Sequence, residues 1–179
     1  MALLFGNRPV SAPAPGYVIR QANLDDVAVM DRIEQEAFTT PWSLDLIRGA
    51  VINRRYQVRI LGGSPSEVAG FYIAHTVEDA SNLDNLAVNA LHRRRGLGRR
   101  LVEDWIAVVK GQRLGTLTLQ VNTRNLAAQK LYRDFCFRPT RLLTGYYPNG
   151  EDAYQMEMTL PAPPPPRAVS SPALGWAGK

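Results

Sequence analysis

The chain is poor in the residues that build metal and disulfide frameworks. Its single cysteine, Cys136, excludes an internal disulfide, and with only two histidines, His75 and His92, a zinc cluster is not expected. No stretch approaches the roughly 20 apolar residues of a membrane-spanning helix. The opening MALLFGNRP holds too short an apolar run for a secretory signal. These absences predict a cytoplasmic protein with no metal and no membrane partner.

What is present is ordinary for one globular domain. Hydrophobic residues make up 45% and charged residues 21% of 179, enough for one packed core and too few for two. The net charge is +5, and the five arginines Arg93, Arg94, Arg95, Arg99 and Arg100 equal that whole excess in a stretch without an acid. The basic character is therefore local. It suits a polyphosphate ligand or proximity to RNA.

Residues 1–16, rich in Pro, Ala and Gly, and the Pro-rich residues 161–179 are expected to lack fixed structure. The folded domain is expected over 17–160. A first strand covers Tyr17–Gln21. Asp25 and Asp26 open a helix with apolar Val27, Met30, Ile33 and Ala37, and Ser43 caps a second helix. Strands over Tyr56–Leu61 and Val68–Thr76 flank a GGSPS hairpin connection, and Leu83–Val88 is a short apolar strand. Leu97, Leu101, Trp105 and Val108 recur at helical spacing. Leu117, Leu119 and Val121 alternate as a strand, Asn125–Phe135 is helical, and Tyr154, Met156, Met158 and Leu160 form a last strand. The order β-α-α-β-β-β-α-β-α-β-β predicts an α/β (α+β) fold with a mixed sheet flanked by helices.

Two segments carry the chemistry. In the first, an Arg/Gly loop stands between a strand and an amphipathic helix. Unpaired N–H groups at a helix start bind phosphate, Gly96 and Gly98 let the backbone approach closely, and Arg94 and Arg99 can add charge-assisted contacts. In the second, TLTLQVNTRN, alternation places Gln120 with Thr118 and Asn122 on one strand face. Asn125 starts the next helix, and Tyr132 follows two turns on, roughly 10.5 Å along the axis on nearly the same face. Plainer roles fit these residues equally: a solvated basic helix entry or an RNA-binding patch for the loop, an N-cap for Asn125, a core ring for Tyr132 and a solvent-facing amide for Gln120.

Together the segments resemble the GNAT superfamily of N-acetyltransferases. RRRGLGR at 93–99 is similar to its acetyl-CoA loop, and NLAAQKLY at 125–132 to its following helix. TTPWS at 39–43 and GYYPNGEDAYQMEM at 145–158 resemble the RimI-type subfamily, which acetylates the N-terminal alanine of a ribosomal protein. The resemblance implies a mostly antiparallel sheet and acetyl-CoA as co-substrate. It assigns cofactor binding to Leu86, Ala87, Val88, Arg93, Arg94, Arg95, Gly96, Leu97, Gly98, Arg99, Asn125 and Tyr132. It makes Tyr132 the acid beside the leaving sulfur and places Trp42, Tyr146 and Tyr147 against the acceptor. The partner implied is a protein N-terminus, with the enzyme a monomer or homodimer and no direct nucleic-acid binding.

The implied reaction is direct attack of a neutral amine through a tetrahedral intermediate, whose oxyanion a backbone N–H stabilises. At pH 7 roughly a tenth of an α-amine is neutral, against well under a thousandth of a lysine. The chain departs from the RimI pattern where that subfamily has a glutamate base: Gln120 is an amide and cannot usefully take a proton. Asn82, another position related enzymes use, is also an amide. Asp84, Glu151 and Asp152 are the acidic candidates nearby, and Asp84 lies in the cofactor strand. A small-molecule amine acetyltransferase, or an acetyl-CoA-binding module with impaired catalysis, are the alternatives. Cys136 stands where the family has glycine after the helix, a left-handed position that costs cysteine about 1 kcal/mol.

Overall fold

A computed structural model describes residues 16–64 and 67–161; apart from Gly16 and Pro161, the two expected tails lie outside the described residues. Seven strands form one sheet in the order β1-β2-β3-β4-β5-β7-β6. They are β1 (Val18–Gln21), β2 (Tyr56–Ser64), β3 (Glu67–Val77), β4 (Ala80–Val88), β5 (Thr116–Asn122), β6 (Arg138–Leu143) and β7 (Ala153–Thr159). Every pair is antiparallel except β4 with β5. The helices are α1 (Val27–Ala37), α2 (Leu44–Ile52), α3 (Leu97–Gly111) and α4 (Leu126–Asp134). This is the mixed, mostly antiparallel α/β arrangement expected from the chain.

Two hydrophobic layers sandwich the sheet. On one face Val27, Met30 and Ile33 of α1 and Ile47 and Ala50 of α2 pack on Val58, Ile60, Phe71 and Ile73. On the other, Leu97, Leu101, Trp105 and Val109 of α3 and Tyr132 of α4 pack on Leu83, Leu117, Leu119 and Val121. The α3 stripe advances by four residues throughout, so Val109, not Val108, is its fourth fully buried member. Polar bonds fix α3 to the sheet: Asp104 accepts from Arg59 (3.0 and 3.1 Å) and from the Tyr72 hydroxyl (3.0 Å), and Trp105 Nε1 donates to Ser81 (2.9 Å).

Local differences from the sequence reading have local causes. Asp25 and Asp26 sit in a one-turn 3-10 segment ahead of α1, closed by a reciprocal capping box between Asn23 and Asp26. Burial works against the Asp26 charge, but the Arg20 guanidinium at 2.7 Å and the Asn23 N–H outweigh it and hold the carboxyl below its ordinary range. Ser43 caps α2 as expected, its hydroxyl accepting from Leu46 N–H.

β4 begins at Ala80, three residues before its apolar run, and contains a bulge. Ile73 pairs with Asn85 and Ala74 with Leu83, so Asp84 is the extra residue. The bulge inverts the alternation. Ser81 and Leu83 face α3, whereas Asn85 and Ala87 face α1. Leu86 and Val88 then return to the α3 face.

Candidate active site

Strands β4 and β5 share only a short parallel ladder, from Ala80–Thr116 to Leu83–Leu119. Beyond it each stays bonded to its outer neighbour, β4 to β3 as far as Val88 and β5 to β7 as far as Asn122. The sheet therefore opens from Asp84 and Gln120 onward. The inner edge of β4 there has no strand partner among the described residues. Its backbone groups are available to an extended ligand. A cavity of about 530 Å³ fills the opening. Its walls bring together Asp84 and Leu86 of β4, Gln120 of β5, Asn125 and Tyr132 of α4, Trp42 before α2, and Tyr146 and Tyr147 before β7. Because the opening interrupts the sheet, the cavity joins the α1–α2 face to the α3–α4 face.

The α1 side is polar. Asp84 touches His75 Nδ1 at 2.5 Å and accepts from Asn82 Nδ2 at 2.7 Å. The Asn82 oxygen accepts from Thr118 Oγ1 at 2.8 Å and from Gln120 Nε2 at 3.4 Å. Gln120 is thus joined to Asp84 through one amide. Burial pushes the Asp84 carboxyl above its ordinary value, and hydrogen bonds from His75 and Asn82 only partly offset it. Behind this group Glu34 is 1% exposed; its Oε1 accepts from Trp42 N–H (2.9 Å) and Asn85 Nδ2 (2.8 Å). Glu34 therefore ties the PWS turn to β4. Burial raises its pKa too, and its Oε2 and the Asn85 Oδ1 have no partner among the described residues.

On the opposite side the Tyr132 ring is buried and packs edge-on against Phe137 at 5.9 Å. Its hydroxyl makes no hydrogen bond to a described residue. Burial, with the Tyr147 phenol nearby, pushes its pKa well above that of an ordinary phenol, so it keeps its proton. Asn125 is an N-cap, accepting from Ala128 N–H at 3.0 Å. Buried Gln129 donates to the carbonyls of Asn122 and Thr123 at 3.1 and 2.9 Å and locks α4 to the end of β5.

Ala87 and Val88 at the end of β4, and residues 93–99 leading into α3, lie outside the cavity wall. Gly96 has φ +78° and precedes a helix whose first turn has no side-chain cap. The amides of Leu97, Gly98 and Arg99 are the orphan donors of that turn. Gly98 sits where a Cβ would lie 3.5 Å from Leu131 and 3.9 Å from Val88. The arginines divide. Arg93 donates to the Val88 carbonyl at 3.0 Å, and Arg99 pairs with Asp134 at 2.9 Å while its guanidinium lies 4.9 Å from the Phe135 ring centre. Arg94 and Arg95 make no ion pair or side-chain hydrogen bond among the described residues, which leaves their charge for a ligand.

The acids after β6 are occupied. Glu151 accepts from Asn122 (2.6 Å), Arg124 (2.9 Å) and Asn149 (3.1 Å), and these groups hold its carboxyl below the usual range. Asp152 accepts from Gly145 N–H at 2.8 Å. Both carboxylates thus fasten the loop that presents Tyr146 and Tyr147, whose rings meet edge to face at 5.1 Å. Burial, with Tyr146 and Glu151 close by, pushes the Tyr147 phenol up to about 12.

Sequence reasoning did not place His75, Glu34 or Asn85 at the site. Glu34 left a trace, a carboxylate four residues after Met30 on the apolar stripe of α1. His75 left none, because only the β3–β4 pairing, which sets it opposite Asn82, brings it to Asp84.

Residues 27–137 match the Acetyltransferase (GNAT) family, and the chain belongs to it. The [ribosomal protein bS18]-alanine N-acetyltransferase of Salmonella typhimurium is 33% identical over 138 residues, covering 75% of this chain and 92% of the relative. The crystal structure of the ribosomal-protein-S18-alanine N-acetyltransferase from Escherichia coli superposes with a TM-score of 0.74 at 32% identity, covering 80% of this chain and 93% of the other. Arabidopsis thaliana NAA60 in complex with acetyl-CoA shares the fold, with a TM-score of 0.73 at 18% identity over 80% of this chain and 98% of the other. Among the described residues no helix is long and apolar enough to cross a membrane.

Proposed function

We propose that this GNAT acetyltransferase moves an acetyl group from acetyl-CoA to the α-amine of a protein N-terminus, a ribosomal-protein N-terminal alanine being the first candidate. The domain responsible is residues 17–160, and a ribosomal acceptor implies action in the cytoplasm. The observation that carries the reading is the opening between β4 and β5, polar on the α1 face and phenolic on the α4 face. The similarity to ribosomal-protein alanine acetyltransferases points to the acceptor.

The free edge of β4 and the uncapped first turn of α3 fit the co-substrate. Leu86, Ala87 and Val88 would hold an amide-bearing arm as an added strand does. The Leu97–Arg99 amides with Arg94 and Arg95 would hold the diphosphate. Acetyl-CoA supplies the activated acyl group as a thioester. Trp42, Tyr146 and Tyr147 would border the incoming peptide, and Gln120 would orient its amine. Tyr132 would serve the leaving sulfur as a hydrogen-bond donor. Its raised pKa makes full proton transfer to a thiolate costly, since thiols titrate near 8.5.

Incubation with acetyl-CoA and a panel of amines, read by mass, tests this. The panel holds Ala-, Ser- and Met-initiated peptides, a polyamine and an aminoglycoside. We expect fastest acetylation of an Ala-initiated peptide at its α-amine, and at least a tenfold slower turnover in Tyr132→Phe with unchanged cofactor affinity. Modification of the polyamine or aminoglycoside alone would reassign the acceptor.

A further inference from the structure

The site lacks a carboxylate at Gln120, yet amine acetylation must dispose of a proton. Among the cavity acids, Glu151 is bonded to three side chains, and Glu34 is shut behind the Trp42 N–H and the Asn85 amide. Asp84 differs. It lines the cavity as they do, but on the α1 face beside Asn82, where a histidine meets it.

We infer that Asp84 and His75 form a proton relay, Asp84 taking the acceptor's ammonium proton and His75 passing it to solvent. The inference rests on the amine-acetyltransfer reading above. Asp84 stands between the cavity and His75, and the histidine side chain is 28% exposed, so it connects a nearly closed carboxylate to water. Histidine suits the outlet because its two ring nitrogens can take a proton on one side and give one up on the other. Asn82 fixes the second Asp84 oxygen at 2.7 Å and is itself fixed by Thr118 and Gln120. The groups facing the pair are few. Tyr56 of β2 packs on the His75 ring at 5.6 Å, and Tyr146 lies close enough to feel the Asp84 charge. No arginine or lysine pairs with either residue among the described residues.

The protons balance. An ammonium gives its first proton to Asp84, and His75 sends that proton to water. The freed amine forms the C–N bond to give a tetrahedral intermediate, whose collapse breaks the thioester C–S bond. Nitrogen then loses a second proton to Asp84, which His75 again passes to water, and the departing thiolate takes one proton from water, so that one proton is released per turnover. Direct removal of proton-holding groups should therefore alter pH behaviour and not merely amplitude. His75 favours the charged form of Asp84, so its loss should raise the pH at which Asp84 becomes a base.

The test is the pH profile of kcat/KM with the panel acceptor that the native enzyme acetylates fastest. The proteins compared are native, Asp84→Asn, His75→Gln and the double variant Asp84→Asn/Gln120→Glu. Circular dichroism and calorimetric titration with acetyl-CoA accompany each. Asp84→Asn should fall at least about 100-fold with cofactor affinity intact, and Gln120→Glu should restore at least tenfold of that loss. His75→Gln should shift the acidic limb upward by half a pH unit or more; the limb from the acceptor amine is common to all. Asp84→Asn within threefold of native, a His75→Gln profile that only scales down, or no recovery in the double variant would overturn the relay. Native acetylation with normal cofactor binding in those same runs would leave the functional reading standing.

Discussion

Cys136 shows how one residue's backbone can tax a helix that carries a proposed catalytic group. It lies at φ +70°, just past α4. Its N–H donates to the Arg133 carbonyl (2.9 Å) and the Phe137 N–H to the Tyr132 carbonyl (3.1 Å), the two bonds of a Schellman motif. The second bond and the Tyr132–Phe137 ring contact both hold the tyrosine in place. Glycine meets this geometry without the Cβ clash. We predict that Cys136→Gly raises stability by about 1 kcal/mol in urea unfolding, with acetyl transfer unchanged. A destabilised variant would mean that the thiol contributes packing not evident at this exposed position. The sequence revealed this residue because a helix-terminal signal is local. His75 and Glu34 were not legible for the opposite reason. Their meaning depends on partners at Asp84 and Asn85, 9 and 51 residues away.

At the scale of elements, strand β4 does the most. Its apolar residues Leu83, Leu86 and Val88 do not alternate, and a simple period of two shortens the strand at the point where the Asp84 bulge shifts the phase. The helices were easier to read, because capping residues and a four-residue stripe declare them locally; Ser43, Asn125 and the Leu97–Leu101–Trp105 row all stand as expected. The bulge faces an equally constrained β3. A Cβ on Gly70 would lie 2.7 Å from the Ala87 carbonyl oxygen, a contact with backbone that cannot rotate away. Gly70→Ala should therefore displace β4 where the co-substrate arm is proposed to bind. We expect a loss of about 1–3 kcal/mol in stability and a severalfold higher KM for acetyl-CoA in steady-state assays. Native values for both would show that β3 and β4 separate freely there.

The described residues form a sheet with one interruption, and in the proposed reaction each layer supplies a different part. The α1–α2 layer brings Trp42 and the polar group around Asp84, and the α3–α4 layer brings Tyr132 and the phosphate loop. Family resemblance named residues that the structure gathers around the cavity, such as Leu86, Tyr132 and Tyr147, and others, Ala87, Val88 and residues 93–99, that lie outside its wall. It did not predict that arginines from the same loop would be spent internally, Arg93 on Val88 and Arg99 on Asp134, since composition counts charges without their partners. The central claim is that the acyl donor lies in the opening between β4 and β5 with its diphosphate at the start of α3. Amide hydrogen exchange, followed by mass spectrometry with and without acetyl-CoA, tests it most directly. Slowed exchange in residues 84–88 and 96–100 together is the predicted result. Protection confined to α1 and α2, or none in either segment at saturating acetyl-CoA, would contradict it.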